Sequence, residues 1–269
     1  MSRFALLVAG ASASLVLVAA AGTARAQVNW PLESINRPLT MPGGTFQVGA
    51  VIAGLPGYNL DTNEVSLFDT WALGLLAGYG ITDELELLAT YGLTLSPFEG
   101  KGTVRVGPGY AVLRGAVDGK LEVIARADVG YDLLGEHLAP ITIGPQIQFN
   151  LTPQLAIISP SQFGNWLSIS IDNPEVAGVS SNPVTLSLPV GVLFQATPNI
   201  FAQADTTLLT IGIADADNTV IFADYIPVNL TLGYTPANLL DVGVILTDEL
   251  KHAGDTFALS VFARFYGGV

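Results

Sequence analysis

Residues 121–131 read Leu-Glu-Val-Ile-Ala-Arg-Ala-Asp-Val-Gly-Tyr, and alternate positions belong to two different chemistries. Leu121, Val123, Ala125, Ala127, Val129 and Tyr131 suit hydrocarbon, whereas Glu122, Ile124, Arg126, Asp128 and Gly130 hold all the charge. Side chains of a strand point to opposite faces with period two, so the stretch predicts a strand with one apolar and one polar face. The pattern recurs along the chain. Ile141, Ile143, Pro145, Ile147 and Phe149 oppose Thr142, Gly144, Gln146 and Gln148. Leu85, Leu87, Ala89, Tyr91, Leu93 and Leu95 oppose Glu86, Leu88, Thr90, Gly92 and Thr94, and Leu186 to Phe194 and Phe257 to Phe265 repeat the alternation.

These stretches are about ten residues long, the length a tilted strand needs to cross the hydrocarbon layer. Strands of soluble sandwiches are nearer five or six residues, and their outward faces carry more charge. Here the polar face is lean, mostly Gly, Thr, Ser and Gln. Hydrophobic residues make up 50% of the chain and charged ones 12%, with a mean hydropathy of +0.50, which is too apolar for an ordinary soluble domain. Beyond the first 26 residues, Gly, Pro, Asp or Thr interrupts every candidate for a spanning helix. Only helices and edge-free barrels satisfy every backbone group in lipid, so the expected fold is an all-β, antiparallel up-and-down transmembrane barrel.

The turns give the strand count. Short connections recur at Gly80-Ile81-Thr82-Asp83-Glu84, Leu151-Thr152-Pro153-Gln154, Ala196-Thr197-Pro198-Asn199 and Tyr234-Thr235-Pro236-Ala237-Asn238, and Ala116 to Lys120 holds an Asp-Gly pair. Longer connections alternate with them near 55–66, 96–101, 132–139, 172–183, 212–219 and 248–255. The expected strands are 44–54, 67–79, 84–95, 102–114, 120–131, 140–150, 154–171, 184–195, 199–211, 221–234, 238–247 and 255–266, about twelve in all, with both termini on the short-turn, periplasmic side. Ser159 to Asn165 interrupts the seventh as a bulge, an inward fold or a loop; a hairpin there raises the count to fourteen.

Ahead of the barrel, Met1-Ser2-Arg3, an apolar run from Phe4 to Gly22 and Ala24-Arg25-Ala26 have the order of a cleavable secretory signal, residues 1–26. Residues 27–43 then form an N-terminal periplasmic segment, and 44–269 the barrel. Without Arg3 and Arg25 the ten basic residues fall to eight against 23 acidic ones, a net charge of −15, and no basic stripe remains to bind nucleic acid. There is no cysteine, which excludes disulfides and a lipid-anchoring thiol.

With these alternating strands and paired turn types, the whole chain after residue 26 resembles the porin-like outer-membrane β-barrels as a class. The resemblance rests on pattern rather than on a diagnostic motif. It implies outer-membrane lipid as surroundings, and periplasmic chaperones and the barrel-assembly machinery as partners in biogenesis. Such barrels commonly end in an aromatic residue; this chain keeps the alternation through Phe257, Leu259, Val261, Ala263 and Phe265 but ends in Val269, with Gly267 between. Trp71, Tyr79, Phe149, Phe194, Tyr234 and Phe265 fall near expected strand ends, where aromatic rings favour the membrane interface.

No catalytic constellation is visible. The two histidines, His137 and His252, fall in expected external loops, away from any serine on a strand. Asp215-Ala216-Asp217-Asn218 lacks the glycine and the distant glutamate of a calcium loop. An enzyme is not expected, nor a metal or cofactor. By parity Glu84, Glu86, Arg105, Glu122, Arg126, Asp128, Asp205, Asp241 and Arg264 point into the lumen, with Arg126 lying between Glu122 and Asp128 as part of a mixed-charge patch. Two functions follow: a narrow passive channel for small solutes with these charges setting selectivity, or a structural or surface-interaction barrel with a closed lumen.

Overall fold

The computed structural model describes residues 30–59, 64–96, 98–159, 166–171, 184–213, 220–222, 226–250 and 257–268. The expected signal at 1–26, His252, and Asp215 to Asn218 lie outside them. Fourteen strand segments follow: β1 (Thr45–Asn59), β2 (Glu64–Gly80), β3 (Leu85–Ser96), β4 (Phe98–Gly115), β5 (Leu121–Asp132), β6 (His137–Thr152), β7 (Leu155–Ser159), β8 (Ser168–Ile171), β9 (Val184–Thr197), β10 (Ile200–Ile213), β11 (Val220–Phe222), β12 (Pro227–Ala237), β13 (Leu240–Glu249) and β14 (Ala258–Gly268). No helix among the described residues is long and apolar enough to cross a membrane.

Each strand pairs antiparallel with its neighbours, and β14 returns to β1 with Thr45 opposite Gly268 and Gly49 opposite Arg264. The sheet therefore joins its first strand to its last. It closes as a twelve-strand barrel with β11 as an extra short strand on β10. The seventh expected strand is two collinear pieces, since β7 and β8 both pair with β6 on one side and β9 on the other. The interruption is an insertion within one strand, so the count stays at twelve rather than fourteen. Trp166 and Leu167 re-enter beside β6, and Gly144 makes room for them: a Cβ there would lie 1.9 Å from the Leu167 carbonyl oxygen.

On the long-connection side the strands run further than the sequence suggests. Gly57, Tyr58 and Asn59 pair with Ser66, Val65 and Glu64, Leu95 pairs with Phe98, and Asp132 pairs with His137. The expected connections at 55–66, 96–101 and 132–139 are thus mostly hairpin wall, because cross-strand pairing overrides the polar and glycine-rich local sequence. His137 consequently opens β6 instead of lying in a loop. At the opposite rim, Val117 and Asp118 take φ of 55° and 57° and Gly119 80°, the left-handed backbone of a tight hairpin.

Burial confirms two faces. Leu87, Val129, Ile143, Val192, Leu232 and Val261 are exposed on the outside, while Glu86, Ile124, Arg126, Gln148, Gln195, Asp241, Phe262 and Arg264 are buried within. Tyr79, Tyr110, Phe194 and Tyr234 are exposed close to the short-turn rim, and β1 starts and β14 ends at that same rim.

Candidate functional site

The segment that sequence reading sets apart as 27–43 is not apart from the barrel. From Trp30 to Gly43 it packs onto the inward side chains, with Trp30, Ser34, Ile35, Arg37, Thr40 and Met41 all buried. Ile35 joins Ala156, Ile158, Leu193, Phe201 and Phe262 in one apolar cluster, and Trp30 stacks on Tyr266 with ring centroids 4.8 Å apart. The physical reason is that four large apolar groups, Trp30, Ile35, Leu39 and Met41, find a surface inside the barrel rather than water.

Polar bonds set its register. A short 3-10 turn at Ser34–Asn36 brings the Ile35 N–H to Gln195 Oε1 at 3.3 Å, and Gln148 Nε2 donates to the Ile35 carbonyl at 2.8 Å. Beyond it the chain is read at alternate residues. Arg37 Nη1 donates to Asp241 Oδ2 at 2.5 Å, the Leu39 N–H to Glu122 Oε2 at 2.8 Å, and the Met41 N–H to Glu86 Oε2 at 2.9 Å.

Each of these wall carboxylates turns its other oxygen to the wall. Glu86 Oε1 accepts from Arg126 Nη2 at 2.5 Å, Glu122 Oε1 lies 3.5 Å from Arg114 Nε, and Asp241 Oδ1 accepts from Thr235 Oγ1 at 2.8 Å. Tyr266 also donates to Asp241 Oδ2 at 2.9 Å, and Arg264 stands opposite Asp241 in the β13–β14 register. Glu86 with Arg126 and Asp241 with Arg37 are thus buried as paired groups, the condition on which charge survives away from water.

The ion pair between Glu86 on β3 and Arg126 on β5 reaches across the intervening strand at Gly109, which pairs with both. A Cβ at Gly109 would stand 3.0 Å from Glu86 Oε1 and 3.1 Å from Arg126 Nη1. Arg126 also donates through Nε to Gln146 Oε1 at 2.6 Å. Its partners are therefore Glu86, Gln146 and the Leu39 carbonyl oxygen, 3.4 Å from Nη2, not the Glu122 and Asp128 that flank it in sequence.

Above this floor, toward the longer connections, lies a cavity of about 780 Å³, floored by Trp30, Arg37, Leu39 and Met41 and walled by apolar side chains such as Val51, Leu76 and Ile147 together with the hydroxyls of Thr90, Thr142 and Ser187. Arg105 and Asp128 form an ion pair on this wall, and Arg105 Nη2 also donates to Pro140 O at 2.7 Å and Thr142 Oγ1 at 3.0 Å. Asp205 is held by amides, accepting from Gln203 Nε2 and Asn229 Nδ2, both at 2.8 Å.

Eight of the nine charges singled out from sequence thus lie on the inward side: Glu86, Glu122, Arg126, Asp241 and Arg264 at or below the floor, Arg105 and Asp128 on the cavity wall, and Asp205 buried against Gln203 and Asn229. Glu84 does not. It is exposed in the turn before β3 and accepts from Thr82 Oγ1 at 3.1 Å, since strand pairing starts only at Leu85. Arg37, Arg114 and Tyr266 join the site unforeseen. Arg37 carried a signal, as a lone cation in a segment with five large apolar groups, Trp30, Leu32, Ile35, Leu39 and Met41; Arg114 and Tyr266 needed the register to be found. Among the described residues no group of three His, Asp or Glu could hold a metal ion.

Neither a protein-family model nor a curated protein matches the sequence. Solved structures do. The NanC porin is similar over 81% of this chain and 98% of its own, with 8% identity and a TM-score of 0.56. The KdgM porin is similar over 81% of this chain and 98% of its own, with 9% identity and a TM-score of 0.52. A second KdgM structure, in complex with disordered oligogalacturonate, gives 0.50 over 82% of this chain and 98% of its own, at 9% identity. The fold is therefore that of the porin-like outer-membrane β-barrels.

Proposed function

We propose that this protein is a narrow passive channel for small hydrophilic solutes in the outer membrane, exported after loss of residues 1–26 and free of enzymatic chemistry. The short-turn rim, with both ends of the chain, faces the periplasm. Barrel-assembly machinery and periplasmic chaperones would be its partners in biogenesis. The observation that carries the reading is the cavity of about 780 Å³, with charges and hydroxyls among its lining, inside a closed, outwardly apolar wall. Water and small polar solutes suit that lining, while the outward Val, Ile and Leu suit lipid. The porin neighbours support it, and one of them was solved with an oligogalacturonate. Purified mature protein reconstituted in planar bilayers is expected to give discrete conductance steps; a bilayer that stays silent, with protein shown to be inserted and heat-modifiable, would sink the reading.

A further inference from the structure

Resting on that channel reading, we infer that the interior wall is a binding site for an extended peptide, that residues 30–43 are its resident occupant, and that this occupant leaves and returns as a gate. Three observations carry it. The wall contacts the segment as it would a peptide ligand, taking the N–H groups of Leu39 and Met41 and the guanidinium of Arg37 on three acids from three strands. The seat is also shaped for it. A Cβ at Gly80 would lie 2.1 Å from the Pro42 carbonyl oxygen, and one at Gly78 would lie 2.6 Å from Met41 Cε.

The third observation concerns what departure leaves behind. Glu86 keeps Arg126, Glu122 keeps Arg114, and Asp241 keeps Thr235 and Tyr266. Arg37 leaves with partners of its own, because its Nε and Nη2 donate to Pro31 O at 2.9 Å and Leu32 O at 3.1 Å in the same segment. Glu86 and Glu122 keep a cation each, and Asp241, which gives up Arg37, keeps two donors and faces the space that the segment vacates, which lowers the penalty that normally makes such a contact permanent. The root of the segment is Gly44, which takes φ of 77° directly before β1, a backbone that glycine adopts without strain.

Single-channel recording on mature protein tests this with two substitutions confined to the segment, so that no wall residue changes. Arg37→Ala removes the contact to Asp241, and Leu39→Pro removes the N–H that Glu122 accepts. Wild-type channels are expected to dwell at a low level with brief excursions to a higher one. Each variant should raise the fraction of time at the higher level by about tenfold or more without moving the level itself, the effect of losing one charge-assisted hydrogen bond from a two-state equilibrium. A synthetic peptide of residues 30–43, added to Arg37→Ala channels from the short-turn side, should restore the low level in a concentration-dependent way, while the same peptide carrying Arg37→Ala should not. Heat-modifiability in SDS checks that both variants fold.

If wild type and both variants share one steady conductance, the gate is wrong and the channel reading stands. A shifted conductance level with unchanged dwell times would make the segment a fixed part of the wall and also overturn the gate. Silence from all three, with folded protein in the bilayer, removes the channel and the gate with it.

Discussion

Two arginine–carboxylate pairs inside this barrel are built from strands β3, β4 and β5, yet they occupy different media. Arg126 and Glu86 lie at the floor with side chains 9% and 1% exposed, sealed beneath the N-terminal segment; Arg105 and Asp128 sit on the cavity wall at 28% and 14%. The lower pair has lost its water and is held by Gln146, the Met41 N–H and a glycine that lets it pass. The upper pair is bonded as well, but on the open side of the floor. Inward parity puts both in the lumen; position along the barrel axis decides which is structural and which a solute would meet.

Removing one partner from each pair should separate them most. Arg126→Ala leaves Glu86 buried without its cation and is expected to destabilise the barrel by about 3–5 kcal/mol, read as a lowered temperature or urea concentration for loss of the compact band on SDS gels. A cost below about 1 kcal/mol would mean that water reaches the floor. Converting both residues, as Glu86→Leu with Arg126→Met, should recover much of the loss, since a packed apolar pair strands no charge.

A charge on the outer wall gives a reference for these numbers. Ile143→Arg, on the exposed apolar face, is expected to cost about 2–4 kcal/mol if that face meets lipid near the midplane, and Thr142→Arg, its inward neighbour, less. Equal costs would place Ile143 at the interface or out of the bilayer. Gly109→Ala should follow at about 1–3 kcal/mol, the range for an overpacked site, because the new methyl presses on the Glu86–Arg126 bridge. Combining it with Arg126→Ala should be less than additive, as the methyl then has room.

The smallest expected effect on stability is that of Arg105→Ala, at about 1 kcal/mol or less, because the pair is partly exposed and water can replace the guanidinium. Its effect on permeation should be the larger one. Loss of a cation beside Asp128 makes the cavity wall more acidic, so reversal potentials in a salt gradient should shift toward cation selectivity. Arg126→Ala, if it assembles, should shift selectivity less than Arg105→Ala; the opposite order would exchange the roles given to floor and wall.

Most of the wall was legible because alternation is local. Leu121 to Tyr131 declares both of its faces within eleven residues, and turns such as Ala196-Thr197-Pro198-Asn199 mark where strands reverse. Parity also placed Glu86, Arg126 and Asp241 inward without any structure. What stayed hidden depends on register. That Arg126 meets Glu86 requires knowing that Gly109 pairs with both, and neighbours in sequence suggested Glu122 and Asp128 instead. Trp30 to Gly43 was misplaced for a related reason: with Pro31, Pro38 and Pro42 it has no period, so it reads as a linker, although its apolar residues have nowhere to go in water. The hairpins near Leu95 and Asp132 were taken for loops because glycine and charge weaken the local signal while cross-strand pairing sustains the strand.

The seat of that segment also has a history built into the chain order. Arg37 is among the earliest residues of the described chain, and the groups that hold it come from the last strands: Asp241 is 204 positions away and Tyr266 229. Contacts between such distant positions form only after the intervening chain has been organised. Glu86 and Glu122 can receive Met41 and Leu39 while the barrel is still an open sheet, but Arg37 has no counterpart until β13 is paired and β14 has met β1. The lock is thus completed by the same event that closes the ring, and an unfinished barrel leaves its own first residues unlatched.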